Sequence, residues 1–119
     1  MAGRVIERLA VVPGPGGELW LRRAWPRAAG HMLLEYALPR GGIVAGQWMD
    51  DAVALRRVAG ETARTCPQAR PVLLEGHGVL LQPGGGDRKL AGLWALLARS
   101  GATLVSHRPE RRAVVRLED

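Results

Sequence analysis

Three histidines, a single cysteine, an aspartate doublet and a glycine run beside two cations are the residues of this chain whose types could do chemistry. His31, His77 and His107 lie far apart, and none stands at a metal-ligating spacing such as His-x-x-x-His. A zinc site or a general base built on them would need the fold to gather them. His77, between Gly76 and Gly78, reads as an exposed turn residue. Asp50-Asp51 is a pair of carboxylates that a cation would bind, but the start of a helix favours the same pair, because free amides and the helix dipole attract negative charge. Cys66 is alone, so neither an intrachain disulfide nor a thiolate zinc site can form, and with only Arg64 and Arg70 near it in sequence it makes a poor nucleophile. The few serines and threonines show no nucleophile elbow.

The run Gly84-Gly85-Gly86-Asp87-Arg88-Lys89 could turn backbone amides toward a phosphate, with Arg88 and Lys89 adding charge. It lacks the Gly-Lys-Ser/Thr ending of a P-loop, and an aspartate at the cap repels an anion. The plainer reading makes Asp87 an N-cap. No complete catalytic set emerges, and neither a metal nor a cofactor is expected.

Residues 81–117 must position most of these groups, and there the local signals agree. With Asp87 as cap, a helix is expected from Arg88, its stripe formed by Leu90, Leu93, Trp94 and Leu97, with Ser100 and Gly101 stopping it. A hairpin follows, Ala102 to His107 and Arg111 to Leu117, broken at Pro109-Glu110. A register centred on that break puts Leu104, Ser106, Ala113, Val115 and Leu117 on one face. Thr103, Val105, His107, Arg112, Val114 and Arg116 then share the other, a wet basic face that also has Arg108 beside it. Pro109 cannot take the positive φ of a two-residue hairpin turn, so the connection can widen and the register slip by one; a slip would bury arginines, which is costly.

Earlier in the chain, Ala2 to Val12 fits a short helix or a first strand, and Pro13 to Gly17 a turn, so residues 1–17 are expected as a mobile N-terminal segment. Glu18 to Trp25 reads as a strand ended by Pro26, with Leu19, Leu21 and Trp25 opposite Glu18, Trp20 and Arg22. His31 to Leu38 and Ile43 to Met49 form a second hairpin around Pro39–Gly42. Asp50 or Asp51 caps a helix from about Ala52 to Arg64, with Leu55, Val58, Ala59 and Thr62 inward. Val72 to Leu74 and Val79 to Gln82 flank a third hairpin. The sum is one α+β domain over residues 1–119, a mostly antiparallel sheet of hairpins with two helices packed on one face. Of the tryptophans, Trp94 falls on the buried helix stripe, whereas Trp20 and Trp48, if exposed together, would mark a binding patch.

The formal net charge is +6, and sixteen of the seventeen basic residues are arginine, a bias that GC-rich coding also produces. A basic excess favours an anionic partner, nucleic acid or an acidic protein surface. With no phenylalanine and one tyrosine, the stacking platforms of an RNA-binding sheet are largely missing, which argues against direct nucleic-acid binding. No apolar run suits a membrane span, no signal peptide is evident, and a lone cysteine fits a reducing cytoplasm. An exposed sheet edge would allow a homodimer.

The segment His107-Arg108-Pro109-Glu110-Arg111-Arg112-Ala113-Val114-Val115-Arg116-Leu117 resembles a motif near the start of bacterial phosphotransferases of the aminoglycoside and choline kinase type, where a basic-Pro-x-Arg-Arg segment leads into an apolar strand of the nucleotide lobe. Upstream, Asp87-Arg88-Lys89-Leu90-Ala91-Gly92-Leu93 is similar to the helix that precedes it in some members. The resemblance covers the last third of the chain. The family's phosphate-holding lysine and its catalytic aspartates follow this strand, so no catalytic residue carries over. It implies a non-catalytic module like the N-terminal lobe of such an enzyme, acting through a protein partner or as part of a larger enzyme. The alternative from the residues is a basic binding module for an anionic partner. Under either reading the contacts fall to Arg108, Arg112, Arg116, His107, Arg88, Lys89, Trp20 and Trp48.

Overall fold

Two glycines at positive φ, Gly41 and Gly42, let the chain reverse after Pro39-Arg40, where a Cβ would be strained. The flanking segments become β3 (His31–Ala37) and β4 (Ile43–Met49), antiparallel with Leu34 opposite Gly46. The computed structural model describes residues 2–118. Around this centre a six-stranded sheet forms in the order β1-β2-β3-β4-β6-β5, every neighbouring pair antiparallel, from β1 (Val11–Gly14), β2 (Gly17–Ala28), β5 (Val72–Leu74) and β6 (Val79–Gln82). With α1 (Ala2–Leu9), α2 (Ala52–Thr65) and α3 (Leu93–Leu97), the fold is α+β with a mostly antiparallel sheet.

Period-two alternation sorts the strands onto two faces. One carries Leu19, Met32, Leu34, Tyr36, Val44, Val79 and Leu81, closed by Leu9 and Val12. The other carries Leu80, with Leu73 and Met49 beside it, and meets Leu55 and Val58 of α2. Burying each of these large side chains contributes roughly 1.5–3 kcal/mol. Asp51, not Asp50, caps α2: its Oδ1 accepts from the amides of Val53 and Ala54 at 3.0 and 3.1 Å. The expected inner stripe holds, with Thr62 buried and its hydroxyl donating to the Val58 carbonyl at 2.8 Å.

Residues 2–9 and 11–14, read as a short helix or a first strand running into a turn, form α1 and β1, with Leu9 and Val12 in the core. Two departures have structural causes. Pro26 does not end β2, which continues to Ala28 with Pro26 opposite Met32. Pairing with β1 stops at Trp20, so beyond it β2 is an edge strand, where a missing N–H costs no ladder bond. A bulge between Leu21 and Arg23 also inverts the alternation, so Trp25 leaves the side of Leu19 and Leu21. Finally, the helix expected from Arg88 shrinks to Leu93–Leu97. Asp87 does accept from the amides of Lys89 and Leu90, but its other oxygen is held by groups outside the turn, and residues 88–92 follow those partners rather than helical propensity.

α1 is tied down by Tyr36, whose buried hydroxyl donates to the Leu9 carbonyl at 2.9 Å. Burial pushes its pKa upward, so between about pH 10 and the raised native value the unfolded state releases a proton that the native state keeps, and stability falls as pH rises. As Tyr36 is the only tyrosine, an alkaline absorbance titration is expected to show no tyrosinate until the protein unfolds. Tyr36→Phe is expected to cost about 1 kcal/mol in urea unfolding and to remove that alkaline loss.

Candidate functional site

The second face of the sheet carries polar groups where apolar ones would pack. Glu35, Gln47 and Gln82 are wholly buried on β3, β4 and β6. Above them lies a separate two-stranded hairpin, β7 (Ala102–Arg108) and β8 (Arg112–Leu117). β7 has a bulge between Leu104 and Ser106, so Leu104 opposes Val115 but Ser106 opposes Val114 and His107 opposes Ala113. The extra residue flips His107 from the outer to the inner face. It is wholly buried, a correction to the basic face expected from strict alternation.

His107 docks the hairpin at two points. Its backbone amide donates to Glu35 Oε2 at 2.8 Å, and its Nε2 donates to Asp87 Oδ2 at the same distance. Asp87 is itself wholly buried and accepts four hydrogen bonds, from the amides of Lys89 and Leu90 on Oδ1 and from His107 and the Glu110 amide on Oδ2. Glu110 sits in a tight turn closed by Arg111 N donating to the Arg108 carbonyl at 3.1 Å, with Pro109 first and Glu110 second of the central residues. Its φ of 64° is one that a side-chain-bearing residue rarely takes. The carboxylate explains the cost: Glu110 receives Arg88 in a forked pair, Nε to Oε2 at 2.6 Å and Nη2 to Oε1 at 3.1 Å.

From Arg88 the network continues to Glu61 on α2 through Nη1. Gln47 Nε2 donates to Glu110 Oε2 at 3.2 Å and to Gln82 Oε1 at 2.9 Å, which fixes Gln47 Oε1 as the acceptor facing His31 Nε2 at 2.8 Å. Gln82 in turn donates to the Gly86 carbonyl. One connected polar set therefore joins three sheet strands, α2, the residue 86–90 turn and the hairpin. Two of its buried atoms, Glu35 Oε1 and His107 Nδ1, have no hydrogen-bond partner among the described residues, although Arg22 and Arg23 approach Glu35 Oε1 to 3.7 and 3.8 Å.

The electrostatics follow from these contacts. Burial alone would raise the Asp87 pKa, but His107 and the amides of Glu110 and Lys89 outweigh it and hold the carboxyl below its usual range. Arg88 is pushed up, first by its hydrogen bonds with Glu110, against a partial loss of hydration. Because Asp87 is a depressed acid, its stabilisation is present above the unfolded value near pH 4 and is lost as pH falls toward the native one. Urea midpoints measured downward from pH ~6 are expected to fall below pH ~4, and Asp87→Asn is expected to flatten that part of the curve.

The sequence-predicted contact residues separate. His107 and Arg88 lie inside the network. Arg108 is half-buried, its guanidinium 5.5 Å from the Trp25 ring centre and its Nε without a partner among the described residues. Lys89 is exposed, 3.8 Å from Glu110. Arg112 and Arg116 stay on the outer hairpin surface with Thr103, Val105 and Val114, Arg116 lying 3.3 Å from Glu118. Trp20 and Trp48 make no common patch. Trp48 stands opposite Met32 on the first face, whereas Trp20 stands opposite Ala37 on the second, 59% exposed. Trp94, expected in the core, is half-buried, and its neighbour Leu93 is the buried residue of α3. At Gly84–Lys89 the plainer reading holds over a phosphate cradle: Asp87 takes the amides of Lys89 and Leu90 as a cap.

No family model, curated protein or solved structure matches this chain. Among the described residues, no group of three or more His, Cys, Asp and Glu is arranged to hold a metal ion, and no helix is long and apolar enough to cross a membrane. Glu35, Gln47, Gln82, Glu61 and Glu110 were not among the expected site residues. For Glu35, Gln47 and Gln82 the one sequence signal is a polar residue within an otherwise apolar strand, as in Leu34-Glu35-Tyr36 and Leu80-Leu81-Gln82; Glu61 on α2 and Glu110 in the turn carry none.

Proposed function

We propose that the chain is a non-catalytic α+β module, like the N-terminal lobe of a kinase-like phosphotransferase, that acts through a partner or as part of a larger enzyme in the cytoplasm. The observation that supports this best is the fate of its acid–base groups. Asp87 has four donors and Glu110 a forked arginine, and His107 is wholly buried against Asp87. A general base needs a proton of the substrate within hydrogen-bond reach, and these groups are spent on one another. They act as a lock that seats the hairpin, and the hairpin's outer surface is left to meet something else. In the presence of magnesium and ATP, with an aminoglycoside or choline as acceptor, the chain is expected to release no ADP above the buffer rate. Turnover would sink the reading.

A second reading rests on that surface: Arg112 and Arg116 stand among exposed Val105 and Val114, a mixed basic and apolar face suited to an acidic partner. Retention on immobilised heparin at low salt is then expected to weaken steeply as salt rises, and Arg112→Glu with Arg116→Glu to abolish it. Retention unchanged by the double variant would remove the hairpin from the contact.

A further inference from the structure

On the opposite face of the sheet, away from the lock, a chamber of about 370 Å³ lies between α1 and the strands β2 and β3. Its floor follows from register: Pro26 opposes Met32, and Met32 opposes Trp48, a row across three strands. The small side chain of Ala24 leaves the space open, and Val5 and Ile6 of α1 wall it. A second, more polar chamber of about 500 Å³, with Arg8 and His77 in its lining, shares Trp48 and Asp50 with the first. Asp50 is the only carboxylate residue lining either chamber among the described residues. It is not the cap of α2, which is Asp51, and among the described residues no cation reaches its carboxylate within ion-pair distance. It rests instead on Gly30, whose carbonyl accepts from the Asp50 amide at 2.9 Å and whose missing Cβ makes room for the carboxylate.

We propose that these chambers form a binding site for a small apolar amine, its hydrocarbon body on the Pro26–Met32–Trp48 floor and its cationic nitrogen between the Asp50 carboxylate and the Trp48 ring. The size suits one small molecule, since ligand pockets run from roughly 300 to 1,000 Å³. The chemistry is complementary: the walls are mostly apolar, an indole face attracts a cation, and the exposed Asp50 carboxylate can form a charge-assisted hydrogen bond with an ammonium. Arg8 at the far side disfavours a second positive charge on the ligand. The site does not depend on the hairpin or on the module's partner.

The test uses the full chain, isotope-labelled, titrated with phenethylamine and separately with 3-phenylpropionate, of similar body and opposite charge. Phenethylamine is expected to shift the Met32 methyl and the Trp48 indole N–H saturably at millimolar concentration, and 3-phenylpropionate to leave them unmoved. Asp50→Asn is expected to weaken the amine roughly ten-fold, and Ala24→Leu, which fills the chamber, to abolish binding while the thermal midpoint is kept. No saturable shift with the amine, equal response to the carboxylate, or undiminished binding by Asp50→Asn would each overturn the proposal.

Discussion

Replacing Asp87 by alanine is expected to cost about 3–5 kcal/mol, the largest single-residue effect on this fold. One truncation removes the acceptor for His107 Nε2 and for three backbone amides, of Lys89, Leu90 and Glu110. The imidazole and the Glu110 amide then stay behind without water to replace the carboxylate. Unfolding free energies of single domains are only about 5–15 kcal/mol, so the urea midpoint should fall by about a fifth or more. Asn at this position keeps one acceptor oxygen and should recover part of the loss. Hydrogen exchange separates the lock from general destabilisation: amides of β7 and β8 should lose protection first, while those of β3 and β4 keep theirs relative to the remaining global stability. A loss below about 1 kcal/mol would mean that the buried acid is not what seats the hairpin.

Glu110 permits a sharper comparison. Glu110→Ala leaves Arg88 three-quarters buried with Glu61 as its remaining close carboxylate and withdraws an acceptor from Gln47, and should cost about 2–4 kcal/mol. Glu110→Gly loses the same contacts but removes the penalty of a side chain at φ 64°. Glycine is therefore expected to be the less damaging substitution by about 1 kcal/mol, against the usual order in which glycine is worse than alanine. Measured by urea unfolding, an alanine variant as stable as the glycine one would show that the turn relaxes to another conformation.

Much of the scaffold was legible because it rests on local rules. The alternation of Met32, Leu34 and Tyr36, a cap at Asp50 or Asp51 and the inner stripe of α2, and the paired apolar runs flanking Glu75–Gly78 each need only neighbours in sequence. What escaped rests on long-range partners or on single inserted residues. The bulges after Leu21 and Leu104 carry no glycine to announce them, yet they move Trp25 and His107 to the other face. Asp87 reads as a helix cap because the amides it caps are adjacent, while its second oxygen answers to His107, twenty residues away. Glu35 meets the His107 amide across seventy-two positions, a separation no periodicity reveals. The same limit applies to the expected contact residues: alternation put Arg112 and Arg116 on the outer hairpin surface, where they are exposed, but placed His107 there too, whereas it and Arg88 lie within the lock.

The claim that the Asp87–His107–Glu110 set holds the fold and does no chemistry is tested most directly by measuring ADP release from magnesium-ATP, with and without an aminoglycoside or choline, for the wild type and for His107→Gln. The account predicts that both proteins match the buffer rate under every condition. Turnover by the wild type that disappears in a folded His107→Gln variant would contradict it, because the buried pair would then be an active site.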